Sequence, residues 1–211
     1  MYLRFIKRTL DLTLSVILII IFLPVATIVA VSILIVNDGS VIFKQQRFGR
    51  NKKPFTIYKF RTMSESAPAN VPTNSFKGVQ SHITRPGKII RKLSLDELPQ
   101  LINVLKGEMS MVGPRPVVLN EVDLINEREK YGANDCKPGI TGWAQVNGRD
   151  EMRMKKKAKM DGEYASNISF LMDMRCVALT VWAVLSVKGH KEGADPVLES
   201  FALQEGELER N

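Results

Sequence analysis

The longest apolar stretch in the chain is residues 12–36, LTLSVILIIIFLPVATIVAVSILIV, which carry no charge. As one straight helix they would run roughly 37 Å, against a hydrocarbon thickness of about 30 Å. The run is too long for the apolar core of a secretory leader, and no small-residue cleavage site follows it. Pro24 lies near its middle, where proline removes a helix hydrogen bond and kinks or breaks the helix. Basic residues flank both ends: Arg4, Lys7 and Arg8 before, Lys44, Arg47, Arg50, Lys52 and Lys53 after. Basic flanks favour the cytoplasm. A spanning helix puts one set outside, whereas a helix that breaks at Pro24 and returns keeps both inside. The residues alone leave both topologies open.

Beyond this segment the pattern shortens. Val41–Phe43 and Phe55–Tyr58 predict two short strands around the basic turn RFGRNKKP. Residues 64–84, rich in Ser, Pro and Asn, predict a long loop. Leu98, Leu101, Ile102 and Leu105 recur at helical spacing, and Gly107 follows as a helix stop. Residues 151–165 are basic. In residues 168–187 an apolar run is interrupted by Asp173 and Arg175, and it is too short to span. It predicts a helix at an interface or in a core. The result is a helix-rich α+β chain with three parts: a membrane segment (1–38), a folded region (39–188) and an acidic tail (189–211).

Composition narrows the chemistry. Among 211 residues the net charge is +8, with 45% hydrophobic and 25% charged residues. That balance favours an anionic partner: phosphorylated substrate, acidic membrane surface or nucleic acid. No nucleic-acid module is present, so nucleic acid is not expected as a partner. Cys136 and Cys176 are far apart and make no disulfide framework. His82 and His190 are the only histidines, and neither has a second His or a Cys nearby, which argues against a zinc site.

The stretch KLSLDELPQ, Lys92 to Gln100, sets adjacent carboxylates Asp96 and Glu97 among leucines. One reading is a helix start, with Asp96 as N-cap or Ser94 to Glu97 as a capping box, and Pro99 in the first turn. The other is chemistry, since a helix start favours anions and adjacent residues point in different directions. Arg115, between Pro114 and Pro116, has a stiff mount suited to a phosphate. The passage KPGITGWAQVNGR is rich in glycine but is neither a Walker loop nor a dinucleotide fingerprint.

Four passages occur in order: QQRFGRNKKPFTIYKFRTM, RKLSLDELPQLINVLKGEMSMVGPRP, KPGITGWAQVNGR and DGEYASNISFLMDMR. With the proline-interrupted apolar segment before them, the chain resembles bacterial sugar transferases of the monotopic phosphoglycosyl transferase family. The likeness runs from about residue 2 to 188 and is to the small, single-domain members, which lack the extra N-terminal membrane region of larger relatives. It implies transfer of a sugar-1-phosphate from a UDP-sugar to undecaprenyl phosphate, giving a polyprenyl diphosphate sugar and UMP. This step starts exopolysaccharide, capsule or glycoconjugate synthesis.

The resemblance further implies a re-entrant helix broken at Pro24, although Leu23 stands where some members have serine. It implies a catalytic domain on the cytoplasmic face of the bacterial membrane, with membrane lipid and downstream glycosyltransferases as partners. Asp96 is implied as a nucleophile that forms a phosphosugar intermediate. Mg2+ is the implied cofactor, held by Glu97 and Asp96. Arg91, Arg115, Lys59, Arg61 and Asp173 are implied in substrate or phosphate binding, with Asp161 a secondary candidate. The competing expectation is an inactive membrane-associated scaffold or regulator of the same fold.

Overall fold

The computed structural model describes residues 2–36, 39–64, 66–67, 79–148 and 153–185. The predicted acidic tail lies outside the described residues, as does most of the loop predicted before residue 79. After a π-helical turn at Tyr2–Ile6 comes the long helix α1, Lys7–Val36. It is helix-rich α+β from there on. Strands β1 (Ile42–Phe48) and β2 (Pro54–Phe60) form an antiparallel hairpin, longer than the pattern predicted, in the register Ile42↔Phe60 to Phe48↔Pro54. Helices α2 (Val79–His82), α3 (Arg85–Lys92) and α4 (Gln100–Lys106) follow. Strands β3 (Ser110–Val112) and β4 (Val117–Val118) flank the proline-bracketed arginine. Helix α5 (Val122–Glu129), strand β5 (Gly139–Thr141) and helices α6 (Trp143–Gly148), α7 (Met154–Ser166) and α8 (Phe170–Leu185) complete the order. One sheet has the order β2-β1-β4; the other pairs β3 with β5 in parallel.

Helix α1 is continuous from Lys7 to Val36 with Pro24 inside it, and the break that the resemblance implies there is not seen. A proline inside a helix forfeits one backbone bond, and Thr or Ser hydroxyls can reinforce the turns around it. Here the Thr27 hydroxyl donates to the Leu23 carbonyl at 2.9 Å. The helix also meets the rest of the protein along its length rather than at one end. Asp11, Ser15, Val29 and Ile33 are buried on it, a stripe at helical spacing. Near its start, Arg8 donates to the carbonyls of Val104 and Leu105 at 2.6 and 2.9 Å, closing the C-terminal end of α4. The carboxylate of Asp11 accepts from the Met111 amide at 2.9 Å. Near its end, Val29 and Ile33 pack on Phe60 of β2 and Ile90 of α3. The other faces leave Ile20, Ile21, Leu23, Ile28, Leu34 and Ile35 exposed. Helix α1 is long and apolar enough to cross a membrane, and an apolar surface of this size is matched by lipid. By length and composition, α1 is suited to membrane association.

Helix α8 repeats the theme at smaller scale. Asp173 and Cys176 are buried on one side, and Leu171, Val181 and Trp182 are exposed on another.

The glycines of the VGPRP and KPGITG passages serve close packing. A Cβ on Gly113 would lie 2.3 Å from the Lys137 carbonyl oxygen, and one on Gly139 would lie 2.1 Å from the Gly113 nitrogen. A Cβ on Gly142 would lie 2.1 Å from the Gly113 oxygen. Two backbones meet here with no room for side chains, which lets β3 pair with β5. Gly139→Ala is expected to destabilise the fold by about 1–3 kcal/mol through overpacking, read as a lower thermal midpoint in detergent.

Candidate active site

The acidic pair sits between two helices rather than at a capped helix start. Helix α3 begins at Thr84, whose hydroxyl accepts from the Gly87 amide at 3.1 Å, and ends at Lys92. Ser94 then adopts a left-handed conformation, φ 56° and ψ 21°, and reverses the chain. Leu95–Glu97 form one 3-10 turn, and Pro99 immediately precedes α4. Neither Ser94 nor Asp96 makes a side-chain cap, which corrects both capping expectations. The reason is that the turn commits the acidic side chains to neighbours in a cavity. Gly107 does stop α4, at φ 84°.

The Glu97 carboxylate accepts from Lys59 at 2.8 Å and from Arg115 at 3.3 Å. The same Lys59 ammonium lies 3.8 Å from Asp96. Burial alone would raise Glu97, but the charges and hydrogen bonds of Lys59 and Arg115 outweigh it and hold it at about 2. Asp96 moves the other way. Burial pushes its carboxyl up, with the Glu97 charge adding to the effect and Lys59, Arg91 and Arg115 opposing it. Two adjacent carboxyls with opposite shifts are suited to two different roles.

Several local devices bring these groups together. Lys59 lies on β2, an edge strand. The buried Asn103 of α4 satisfies that edge: its side-chain oxygen accepts from the Tyr58 amide at 3.1 Å and its amide donates to the Thr56 carbonyl at 2.7 Å. The helix that follows the acidic pair is thus bonded to the strand that carries its cation.

Asp96, Glu97, Lys59, Arg91 and Arg115 all line one cavity of about 320 Å³. Arg47, Glu121, Gln145 and Lys157 line it too. So do apolar residues from the two helices with exposed apolar faces, Leu18 and Phe22 of α1 and Ala183 and Val184 of α8. Charged and apolar walls therefore enclose the same space.

Other predicted residues lie elsewhere. The Arg61 guanidinium donates to the Ser40 hydroxyl at 3.0 Å and does not line the cavity. Asp173 is buried at 3% exposure and also lies outside the lining. Its carboxylate is engaged by Lys7 and by the hydroxyls of Tyr2 and Tyr164. This cluster ties the start of α1 to α7 and α8. Asp161 is paired with Arg128 inside the protein, 2.6 Å apart.

Arg47 and Lys157 were not singled out from sequence, because each is one basic residue within a basic run. Arg128 carried a signal of another kind. It falls four residues after Leu124 on the buried side of α5, a position where an arginine needs a partner.

The model of the bacterial sugar transferase family matches residues 2–187. The chain is 40% identical over 196 residues to the uncharacterised sugar transferase EpsL of Bacillus subtilis, covering 92% of this chain and 95% of that one. It is 38% identical over 186 residues to the UDP-glucose:undecaprenyl-phosphate glucose-1-phosphate transferase of Escherichia coli. It is also 38% identical over 187 residues to the UDP-N-acetylgalactosamine-undecaprenyl-phosphate N-acetylgalactosaminephosphotransferase of Aeromonas hydrophila. The match covers 85% and 86% of this chain but spans only 40% and 44% of those two proteins.

The opposite shifts of the acidic pair predict opposite stability effects. Asp96 sits above its ordinary value in the fold, so its ionised form costs stability at neutral pH. Asp96→Asn should keep or raise the thermal midpoint at pH 7. Glu97 sits below its ordinary value, so its ionised form adds stability above about pH 4.3. Glu97→Gln should lower the midpoint at pH 7, and its difference from the native chain should vanish as pH falls towards 2.

Proposed function

The chain belongs to the bacterial sugar transferase family, an enzyme family, and we propose that it moves a sugar-1-phosphate from a UDP-sugar to undecaprenyl phosphate. The observation that carries this reading is the meeting, in one cavity, of a carboxylate pair, several cations and the walls of two helices with exposed apolar faces. A nucleotide donor needs the cations, and a lipid acceptor needs access from the apolar side. Relatives of equal identity are named for glucose and for N-acetylgalactosamine, so the donor is proposed as a class, the UDP-hexoses.

The chemistry follows from the two carboxyls. An Asp96 oxygen attacks the sugar-linked phosphorus of the donor. A P–O bond to Asp96 forms as the bridging P–O bond breaks, and UMP leaves with that electron pair. The product on the enzyme is an acyl phosphate carrying the sugar. A phosphate oxygen of the lipid then attacks the same phosphorus, the bond to Asp96 breaks, and the free carboxylate returns. Lys59, Arg91 and Arg115 orient the donor diphosphate and offset charge as it builds on the leaving UMP.

Mg2+ fits this site. Asp96 and Glu97 offer hard oxygen donors beside a cavity with room for water and phosphate, and Mg2+ commonly takes few protein carboxylates. No cluster of three or more His, Cys, Asp or Glu exists among the described residues, so phosphate and water would complete its coordination. The ion would act as a Lewis acid on the phosphoryl oxygens.

A cytoplasmic-face, monotopic placement is also proposed. What supports it is the buried stripe of α1: Arg8 near one end and Ile33 near the other contact the same body. A helix held at both ends by one domain is suited to entering the bilayer from one face.

Two measurements test the reading. Purified protein with Mg2+, undecaprenyl phosphate and a panel of UDP-hexoses should release UMP, with a phosphosugar adduct trapped on Asp96; release from no donor would sink the proposal. Cysteines introduced as R4C and R50C should be labelled from the same side of the membrane, and labelling from opposite sides would overturn the one-face placement.

A further inference from the structure

Arg115 is mounted on a segment that cannot be held in the usual way. Pro114 and Pro116 have no N–H, so the backbone on either side of Arg115 cannot donate to a partner. The fold holds the segment by its carbonyls instead. The Pro114 oxygen accepts from the Gly139 amide at 2.9 Å. The Arg115 oxygen accepts from Arg128 at 3.0 Å, and the Pro116 oxygen accepts from Arg47 at 3.0 Å. Three successive carbonyls are each fixed, and two of the three donors are guanidinium groups.

Arg128 is itself held. It is 4% exposed, and one carboxylate oxygen of Asp161, at 1%, accepts from its Nε at 2.8 Å and lies 2.6 Å from a terminal nitrogen. That buried, charge-assisted bond restrains the guanidinium. The remaining terminal nitrogen is then aimed at the Arg115 carbonyl. A buried ion pair is a poor source of stability, because desolvation offsets most of the attraction. Its worth here is geometric. Asp161 sits on α7 and Arg128 on α5, so the pair converts the packing of two helices into one donor direction. Arg47 reaches the next carbonyl from β1, braced by the buried Gln45 at 2.6 and 2.9 Å.

We propose that Asp161 and Arg128 are positioning residues for Arg115, setting the approach of its guanidinium to the donor diphosphate and to Glu97. Asp161 and Arg128 do not touch substrate. They act through the backbone of Arg115, whose side chain reaches Glu97 at 3.3 Å. The role assigned to Arg115 rests on the transferase reading above. The link from Asp161 through Arg128 to the Arg115 backbone does not.

The test is a double-mutant cycle with three readouts: kcat/KM for the UDP-hexose, affinity for UDP alone by calorimetry, and thermal midpoint. Arg128→Lys keeps a charge but loses the planar fork, and should lower kcat/KM by roughly 10- to 100-fold, the scale of a small misplacement. UDP binding should weaken in the same variant. In an Arg115→Lys background, the same Arg128→Lys change should alter kcat/KM and UDP affinity by less than about 2-fold, while shifting the thermal midpoint as much as before. Asp161→Asn, a milder change, should reproduce the pattern if Arg128→Lys folds poorly. Effects on UDP affinity that multiply independently in the two backgrounds would overturn the proposal. So would a lower midpoint with kcat/KM and UDP affinity unchanged. If no UDP-hexose supports turnover but the coupling in UDP affinity persists, the catalytic reading fails and the positioning inference stands.

Discussion

Two neighbouring, largely buried carboxylates in a cavity walled partly by an apolar helix must be matched by nearby positive charge. At about 4 Å, and at the effective dielectric typical of such sites, one such pairing has an interaction of about 4 kcal/mol. The matching cations come from far apart in the chain, Lys59 on the hairpin and Arg115 between two prolines. Much of the architecture serves to bring those two points to residue 97. Asn103 binds α4 to the free edge of β2, the three glycines let β3 lie against β5, and the carbonyl clamps hold the arginine. The lysine distinguishes the two carboxyls by distance, 2.8 Å from Glu97 against 3.8 Å from Asp96. With Arg115 also on Glu97 and burial acting on Asp96, one carboxyl is held firmly ionised and the other is more basic.

Much of this was legible from residue order. The uncharged run, the short strands at 41–43 and 55–58, and the helix stop at Gly107 rest on local patterning, and the structure has each of them. Residues 96, 97, 59, 91 and 115 were expected at one site and share one cavity. What was not legible depended on contacts between distant segments. Ser94 gives no local sign that it will adopt positive φ, so a capped helix start was the natural reading of the acidic pair. Asp173 stands near the end of the chain, and its partners Tyr2 and Lys7 stand near the beginning. No spacing rule connects them. The glycines of the KPGITG passage matched no nucleotide-binding motif; their use is close approach between backbones, which requires knowing what lies opposite.

The long helix α1 was read from sequence as an anchor, a part that holds the enzyme at its place of work. Leu18 and Phe22 show that it is also a wall of the cavity. The two duties fall on the same turns. A chain stripped of its first 36 residues would not become a freely diffusing version of the same catalyst, because the reaction chamber would be open on one side. By the same logic, a newly made chain has no finished chamber until that helix has settled against its own domain. Seating of the helix and completion of the cavity are then one event.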